Sequence, residues 1–187
     1  YYGGGGVGIA DFNNDGLQDV YFTGNLVGDK IYKNTGDLQF LDLTANSEIV
    51  DDGSWSSGVS IADVNNDGLV DIYISKELYD ENPEIRRNKL YINNGNFTFK
   101  ESAKIWNVDV SARTRHSVFF DYNNDGLLDL YLLNQPPNPG SYSKFFGSDL
   151  TLPEYRLQLF ENTGNNNFID VTEKAGLNRT GFPNSVV

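Results

Sequence analysis

The sequence predicts an all-β fold built from three four-stranded units. Three observations predict it: an acidic nine-residue loop occurs three times, strand-forming runs flank each copy, and a second phrase with an Asn/Gly turn follows each loop. A repeat period of about 50 to 60 residues is typical of propellers and solenoids. Since a propeller needs at least about four blades, we expect a β-propeller segment of about three blades, with the remaining blades in the same longer polypeptide.

The loop has the pattern D-x-N-N-D-G-L-x-D and lies at residues 11–19, 63–71 and 121–129. Side-chain oxygens stand at positions one, three, five and nine, and the glycine at position six permits a sharp turn. Calcium prefers such all-oxygen donor sets. We therefore predict one Ca²⁺ per loop, bound by these four side chains and by the backbone carbonyl of the leucine at position seven. The predicted ligands are Asp11, Asn13, Asp15, Leu17, Asp19, Asp63, Asn65, Asp67, Leu69, Asp71, Asp121, Asn123, Asp125, Leu127 and Asp129.

Two other interpretations of the loop are weaker. An EF-hand needs a glutamate at position twelve and flanking helices, but that position holds Phe22, Ile74 and Leu132. A metal-free hairpin is the second alternative, because Asp-Gly is itself a turn signal. A plain turn, however, needs no acid at positions one and nine, so we prefer the metal-binding interpretation. The asparagines at position four are expected to point away from the ion and brace the turn.

Short runs rich in β-branched and aromatic residues flank each loop and favour strands. The preceding runs are 7–10, 59–62 and 118–120, and the following runs are 20–22, 72–74 and 130–133. Each loop therefore joins a first strand to a second. Because the second strands are apolar on consecutive residues, we expect their sheets to be covered on both faces.

A second phrase predicts a third strand, a turn and a fourth strand in each unit. Its copies begin at 30, 89 and 158, and each has an Asn two residues before a Gly and a Phe-led strand after it. The expected organisation is a single partial propeller over 1–187, with units at about 7–52, 59–111 and 117–180 and the start of a fourth at 185–187.

These two phrases together resemble the FG-GAP/VCBS-type calcium-binding β-propeller repeats, found in integrin α-subunit heads and in bacterial secreted proteins. The second phrase is most similar to the bacterial branch allied with cartilage acidic protein and the UnbV proteins. The resemblance covers nearly the whole chain. It implies a cation in each loop and about seven blades around a channel.

Composition narrows the functional classes. The net charge is −12 and the pI is about 4.3, and three divalent ions would halve that charge. The chain has no basic stripe, which disfavours nucleic acid as a partner. It has no apolar run long enough for a transmembrane helix. Its lack of cysteine excludes disulfides but not export. Extracellular modules bind calcium with dissociation constants of about 10⁻⁴ to 10⁻³ M, so we expect an extracellular, cell-surface or periplasmic location.

The expected function is that of a calcium-binding module of an exported, bacterial protein that mediates adhesion or binding to a protein or a glycan. Long loops on a rigid scaffold usually carry recognition, and the connection at 134–157 is the longest. The candidate partner-binding residues are Trp55, Arg113, Arg115 and His116 in the links between units, and Tyr142, Phe145 and Phe146 in the long connection. The alternatives are that the arginines pair with nearby acids and that the connection packs over its own blade.

Catalysis is not the function we expect of this segment. One histidine and no cysteine argue against thiol chemistry and most triads, and the clustered acids are assigned to metal. The resemblance leaves open a polysaccharide-active, lyase-like enzyme, and a structural subunit of a surface assembly is a third interpretation.

Overall fold

The all-β fold class is confirmed. The computed structural model describes residues 4–25, 27–78, 81–136 and 155–177. Within these ranges the chain forms three antiparallel four-stranded sheets, consistent with propeller blades, and a 3-10 turn at Thr44–Asn46.

The strands in each sheet lie in chain order. Sheet one contains β1 (Val7–Ala10), β2 (Asp19–Phe22), β3 (Lys30–Gly36) and β4 (Gln39–Asp42). Sheet two contains β5 (Trp55–Ala62), β6 (Asp71–Glu77), β7 (Lys89–Asn93) and β8 (Phe99–Glu101). Sheet three contains β9 (Arg113–Phe120), β10 (Asp129–Gln135), β11 (Gln158–Asn162) and β12 (Phe168–Asp170). The acidic loops join β1 to β2, β5 to β6 and β9 to β10, as predicted.

The first strands of sheets two and three begin earlier than predicted. β5 begins at Trp55 rather than at residue 59, and β9 begins at Arg113 rather than at 118. The pairing of β5 with β6 continues past a register shift between Ser56 and Gly58. The pairing of β9 with β10 continues past another register shift, between Leu133 and Asn134. Such bulges let a ladder continue past residues whose pattern does not suggest a strand.

The first strands lie side by side and run in the same direction. The Ser57 hydroxyl donates to the carbonyl of Thr114 at 2.6 Å, and the Ser60 hydroxyl donates to the carbonyl of Ser117 at 2.6 Å. The residue before β1 also approaches β5 closely, because a Cβ placed on Gly6 would lie 2.9 Å from the backbone nitrogen of Val59. A side chain at Gly6 would therefore require the backbone to shift.

Two apolar clusters fill the spaces between neighbouring sheets. One joins sheets one and two and consists of Phe12, Tyr21, Ile31, Val59, Ile72, Ile74, Tyr91, Phe97 and Phe99. The other joins sheets two and three and includes Tyr73, Leu90, Trp106, Leu130, Leu132, Phe160 and Phe168. Strand β6, in the middle sheet, is buried along its whole length, and its apolar residues Ile72, Tyr73 and Ile74 together contribute to both clusters.

Some predicted features lie outside the described residues, namely Tyr142, Phe145, Phe146 and the expected fourth unit at 185–187. In the part of the chain that is described, no helix is long and apolar enough to span a membrane.

The Tyr73 hydroxyl gives a test of the packing between sheets two and three. Tyr73 is fully buried and donates to the carbonyl of Val108 at 2.8 Å. Tyr73→Phe should lower the free energy of unfolding by about 1 to 2 kcal/mol, because that carbonyl then loses its buried donor. Chemical denaturation measures the loss. Tyr131→Phe, at the equivalent but half-buried position in sheet three, is the matched control and should lose less. Equal losses would contradict the assigned bond.

Candidate metal-binding loops

The carboxylate at position one closes each loop onto its own backbone. Asp11 accepts hydrogen bonds from the amides of Asp15 at 3.1 Å and Gly16 at 2.7 Å. In the second loop the two distances are 3.1 and 2.8 Å, and in the third they are 3.1 and 3.0 Å. Because a carboxylate has about four lone-pair sites, each of these groups keeps acceptor capacity for an ion.

The side chains at positions three and five face each other. The Asn13 amide donates to Oδ2 of Asp15 at 2.9 Å, and the second and third loops repeat this bond at 2.8 and 2.9 Å. The other oxygen of Asp15 accepts from the amide of Leu17 at 3.0 Å. The position-four asparagines brace the turn in the left-handed region, with φ of 57°, 57° and 59°, a conformation that asparagine tolerates. In the first loop, Asn14 also reaches the carbonyl of Gly68 in the next loop at 2.9 Å.

The carboxylate at position nine joins the loop to the third strand of its sheet. Asp71 accepts from the amide of Val64 at 3.0 Å with one oxygen and from the amide of Asn93 at 2.8 Å with the other. Asp19 and Asp129 make the same pair of bonds within 2.9 Å. All three carboxylates are buried, so the last predicted ligand of each loop lies at the base of its hairpin.

The asparagine of the second phrase is a structural residue that the sequence analysis assigned only to a turn. The Asn93 side chain donates to the carbonyl of Phe12 at 2.8 Å and to that of Val70 at 3.0 Å. It thereby connects the loop of sheet one to the loop of sheet two. Asn162 connects the second loop to the third in the same way, through the carbonyls of Val64 and Leu128. Its presence at one position in all three copies was the signal that could have identified it.

Burial and neighbouring charge give the loop carboxyls different acidities. Burial raises the pKa of Asp71 to about 7, against the two backbone hydrogen bonds that lower it. Burial also raises the pKa of Asp19 and Asp129. In contrast, the hydrogen bond from Lys33 is the main cause that lowers the pKa of Asp15 to about 2. The base of each loop thus favours a proton or a cation over an isolated negative charge.

The donor chemistry of the loops fits a hard cation. Every predicted ligand atom is an oxygen, as Ca²⁺ prefers. In the first loop, Oδ1 of Asn13 is a buried acceptor without a hydrogen-bond donor, an atom that a cation would satisfy. Among the described residues, no three Asp, Glu, His or Cys side chains are gathered as a metal cluster. The three carboxylates of each loop are therefore not gathered in one cluster, and the ligand roles of the loop residues stay predictions.

The other candidate residues that the structure describes lie on strands, not in the links where they were predicted. Trp55 begins β5, and Arg113, Arg115 and His116 belong to β9, because the bulges lengthen these ladders. Both arginines approach the buried Glu77 carboxylate, at 3.4 and 3.0 Å. This supports the interpretation that the arginines pair with nearby acids.

A cavity of about 320 Å³ lies at the beginnings of the first strands, away from the acidic loops. It is lined by Gly4–Val7, Ser57–Val59, Arg115 and His116. Burial lowers the pKa of His116. The second strands run antiparallel to the first and therefore finish at the end of the sheets that holds this cavity. The connections from β2 to β3 and from β10 to β11 accordingly begin and finish at that end.

The FG-GAP-like repeat family matches residues 11–74 and 80–132, which include all three acidic loops.

Curated relatives include two cartilage acidic proteins. Cartilage acidic protein 1 of Xenopus tropicalis is 27% identical over 135 residues, 72% of this chain and 20% of the relative. Cartilage acidic protein 1 of Homo sapiens is 25% identical over 149 residues, 78% of this chain and 21% of the relative. The chain thus spans about a fifth of the length of these relatives.

Among solved structures, a lectin of Agrocybe aegerita, described as specifically recognising non-reducing terminal N-acetylglucosamine, has a similar fold. The TM-score is 0.52 at 16% identity, and the match covers 89% of this chain and 38% of that one.

A pair of variants separates the two roles of the Asn93 side chain, which bridges two loops through its amide nitrogen and accepts a turn bond from the amide of Gly95. Asn93→Ala removes the bonds to a buried carbonyl and a half-buried carbonyl, and we expect a loss of about 2 to 3 kcal/mol in the free energy of unfolding. The matched control is Asn34→Ala, since Asn34 donates to a single exposed carbonyl, that of Gln18. Its loss should be about 1 kcal/mol or less. Urea denaturation measures both, and a difference near zero would contradict the bridge.

Proposed function

Because the chain belongs to the FG-GAP-like repeat family, we propose that its three acidic loops each bind a Ca²⁺ ion and that its sheets are part of a calcium-stabilised β-propeller. Repeats of this family often bind calcium. The observation that carries the proposal is the threefold recurrence of one loop geometry, with the same carboxylate-to-backbone bonds in each copy.

In the first loop, Asp11, Asn13, Asp15, the carbonyl of Leu17 and Asp19 would hold the ion, and the equivalent residues would do so in the other two. A bound cation supplies positive charge among carboxylates that otherwise repel one another. The protein prepares the site by fixing the position-one carboxylate on the amides of the turn. It also holds the position-nine carboxylate against the third strand, which couples the loop to the sheet.

The biological role that we propose is recognition of a glycan by an exported or cell-surface protein. The fold similarity to a lectin supports this role. The cavity lined by Arg115 and His116 offers a concave surface at the end of the sheets opposite the acidic loops. The insertion at 134–157 leaves the scaffold at this same end, so a single face would hold both candidate regions, while the loop face would be structural.

Calcium dependence of stability tests the metal proposal. At 10 mM Ca²⁺, a site with a dissociation constant of about 10⁻⁴ to 10⁻³ M adds about 1.4 to 2.7 kcal/mol to the free energy of unfolding. Thermal unfolding with Ca²⁺ and with EGTA measures the total. Asp63→Asn, which removes a predicted ligand charge, should abolish about a third of the calcium-dependent gain, because one of three sites is lost. Asp37→Asn is the control: it makes the same charge change in an exposed turn and should keep the full gain. A melting temperature indifferent to calcium would refute the proposal.

A glycan array probed with the calcium-loaded chain tests recognition. We expect binding to a defined glycan, weakened at least about tenfold by His116→Ala or by deletion of 136–149, since ligand-contacting groups of this kind are worth about 1 to 3 kcal/mol. Calcium-dependent melting should persist in both variants. Asn96→Ala, an exposed change at the end that carries the acidic loops, is the control for binding. Binding that survives both changes would place recognition elsewhere.

A further inference from the structure

The three loops differ at one neighbouring position of the third strand. The residue before the asparagine of the second phrase is Lys33 in sheet one, Ile92 in sheet two and Glu161 in sheet three. The three are equivalent in register, since each pairs with the middle of the fourth strand, at Leu41, Lys100 and Ile169. Of these three equivalent residues, only Lys33, beside the first loop, carries a positive charge.

Lys33 makes direct contact with a predicted ligand. Its ammonium lies 2.9 Å from Oδ2 of Asp15, and both side chains are about one-third exposed. The same ammonium lies 5.8 Å from the centre of the Phe97 ring of sheet two, a distance at which a ring face attracts a cation. Lys33 is therefore held between the first loop and the neighbouring sheet.

The other two loops have different surroundings. Ile92 carries no charge. Glu161 accepts a hydrogen bond from the Tyr122 hydroxyl at 2.6 Å and lies 3.6 Å from the Lys174 ammonium. Asp67 and Asp125, the equivalents of Asp15, keep the bonds from the asparagine at position three and from the leucine amide. The main bonds of the loops are thus shared, but the first loop differs in two respects. Lys33 pairs with its Asp15, and Oδ1 of Asn13 lacks the aspartate-amide donor that the equivalent oxygens of Asn65 and Asn123 have.

We propose that Lys33 competes with the metal ion for Asp15 and makes the first loop the weakest calcium site of the three. This inference rests on the proposed calcium function. Two effects act in the same direction. An incoming divalent ion must displace the ammonium from Asp15 and is repelled by it at close range. The ammonium also neutralises part of the loop charge in the metal-free protein, so the ion relieves less repulsion there than in the second loop.

The glycine at position six of each loop provides a separate reporter for each site. The amides of Gly16, Gly68 and Gly126 donate to the position-one carboxylates, so ion binding should shift their resonances. Calcium titration of the ¹⁵N-labelled full chain by NMR then gives three midpoints. We expect the Gly16 midpoint at about three- to tenfold higher calcium than that of Gly68.

Lys33→Ile, which introduces the residue of sheet two, should lower the Gly16 midpoint by about three- to tenfold and leave the Gly68 and Gly126 midpoints unchanged. Lys30→Ile is the matched control. Lys30 lies on the same strand and pairs with Asp42 at 3.2 Å, so its loss changes net charge equally without freeing Asp15. If Lys33→Ile does not give the dispersed spectrum of a folded protein, Lys33→Gln replaces it. Lys33→Gln also removes the positive charge and should lower the Gly16 midpoint in the same way.

The outcomes separate the two hypotheses. Equal shifts of the Gly16 midpoint in the Lys33 and Lys30 variants, or a wild-type Gly16 midpoint at or below that of Gly68, would overturn the role of Lys33 while calcium binding stands. If calcium moves none of the three glycine resonances, the proposed calcium function fails, and this inference fails with it.

Discussion

The structure depends above all on the pair of hydrogen bonds made by the buried carboxylate at position nine of each loop. One oxygen accepts from the loop backbone and the other from the third strand, as at Asp71. One side chain therefore fixes the end of the loop, the start of the second strand and the alignment of the third. Removing a carboxylate from water is unfavourable unless hydrogen bonds or a positive charge compensate, so the group that orders the sheet also favours a cation at the base of each loop.

The bridging asparagines extend this arrangement from one sheet to the next. The amide of Asn93 supports Asp71 within its own sheet, while its side chain holds the carbonyl of Phe12 in the preceding loop. Loop conformation, sheet pairing and the contact between sheets are thus linked through single residues. The Asn14 side chain, which reaches Gly68, adds a second direct link between the first two loops.

Local signals predicted much of this fold. The spacing of acids and the runs of β-branched residues gave the loops, the strand order and the four-stranded units, because both patterns act over fewer than about ten residues. The sequence analysis was wrong about where β5 and β9 begin, since bulges continue the pairing through Ser56 and Leu133. It also placed Trp55 and Arg113 in links for that reason. The role of Asn93 was beyond local reasoning, because its partner Phe12 lies 81 residues away and meets it only through stacking of the sheets.

The two apolar clusters each join one neighbouring pair of sheets, and both include sheet two. In such a linear array, stability is approximately the sum of intrinsic terms and nearest-neighbour terms. The middle sheet has both of these interfaces, with Tyr91 in one cluster and Tyr73 in the other. Among the described residues, these two tyrosines should therefore be among the last groups to meet solvent when neighbouring sheets separate.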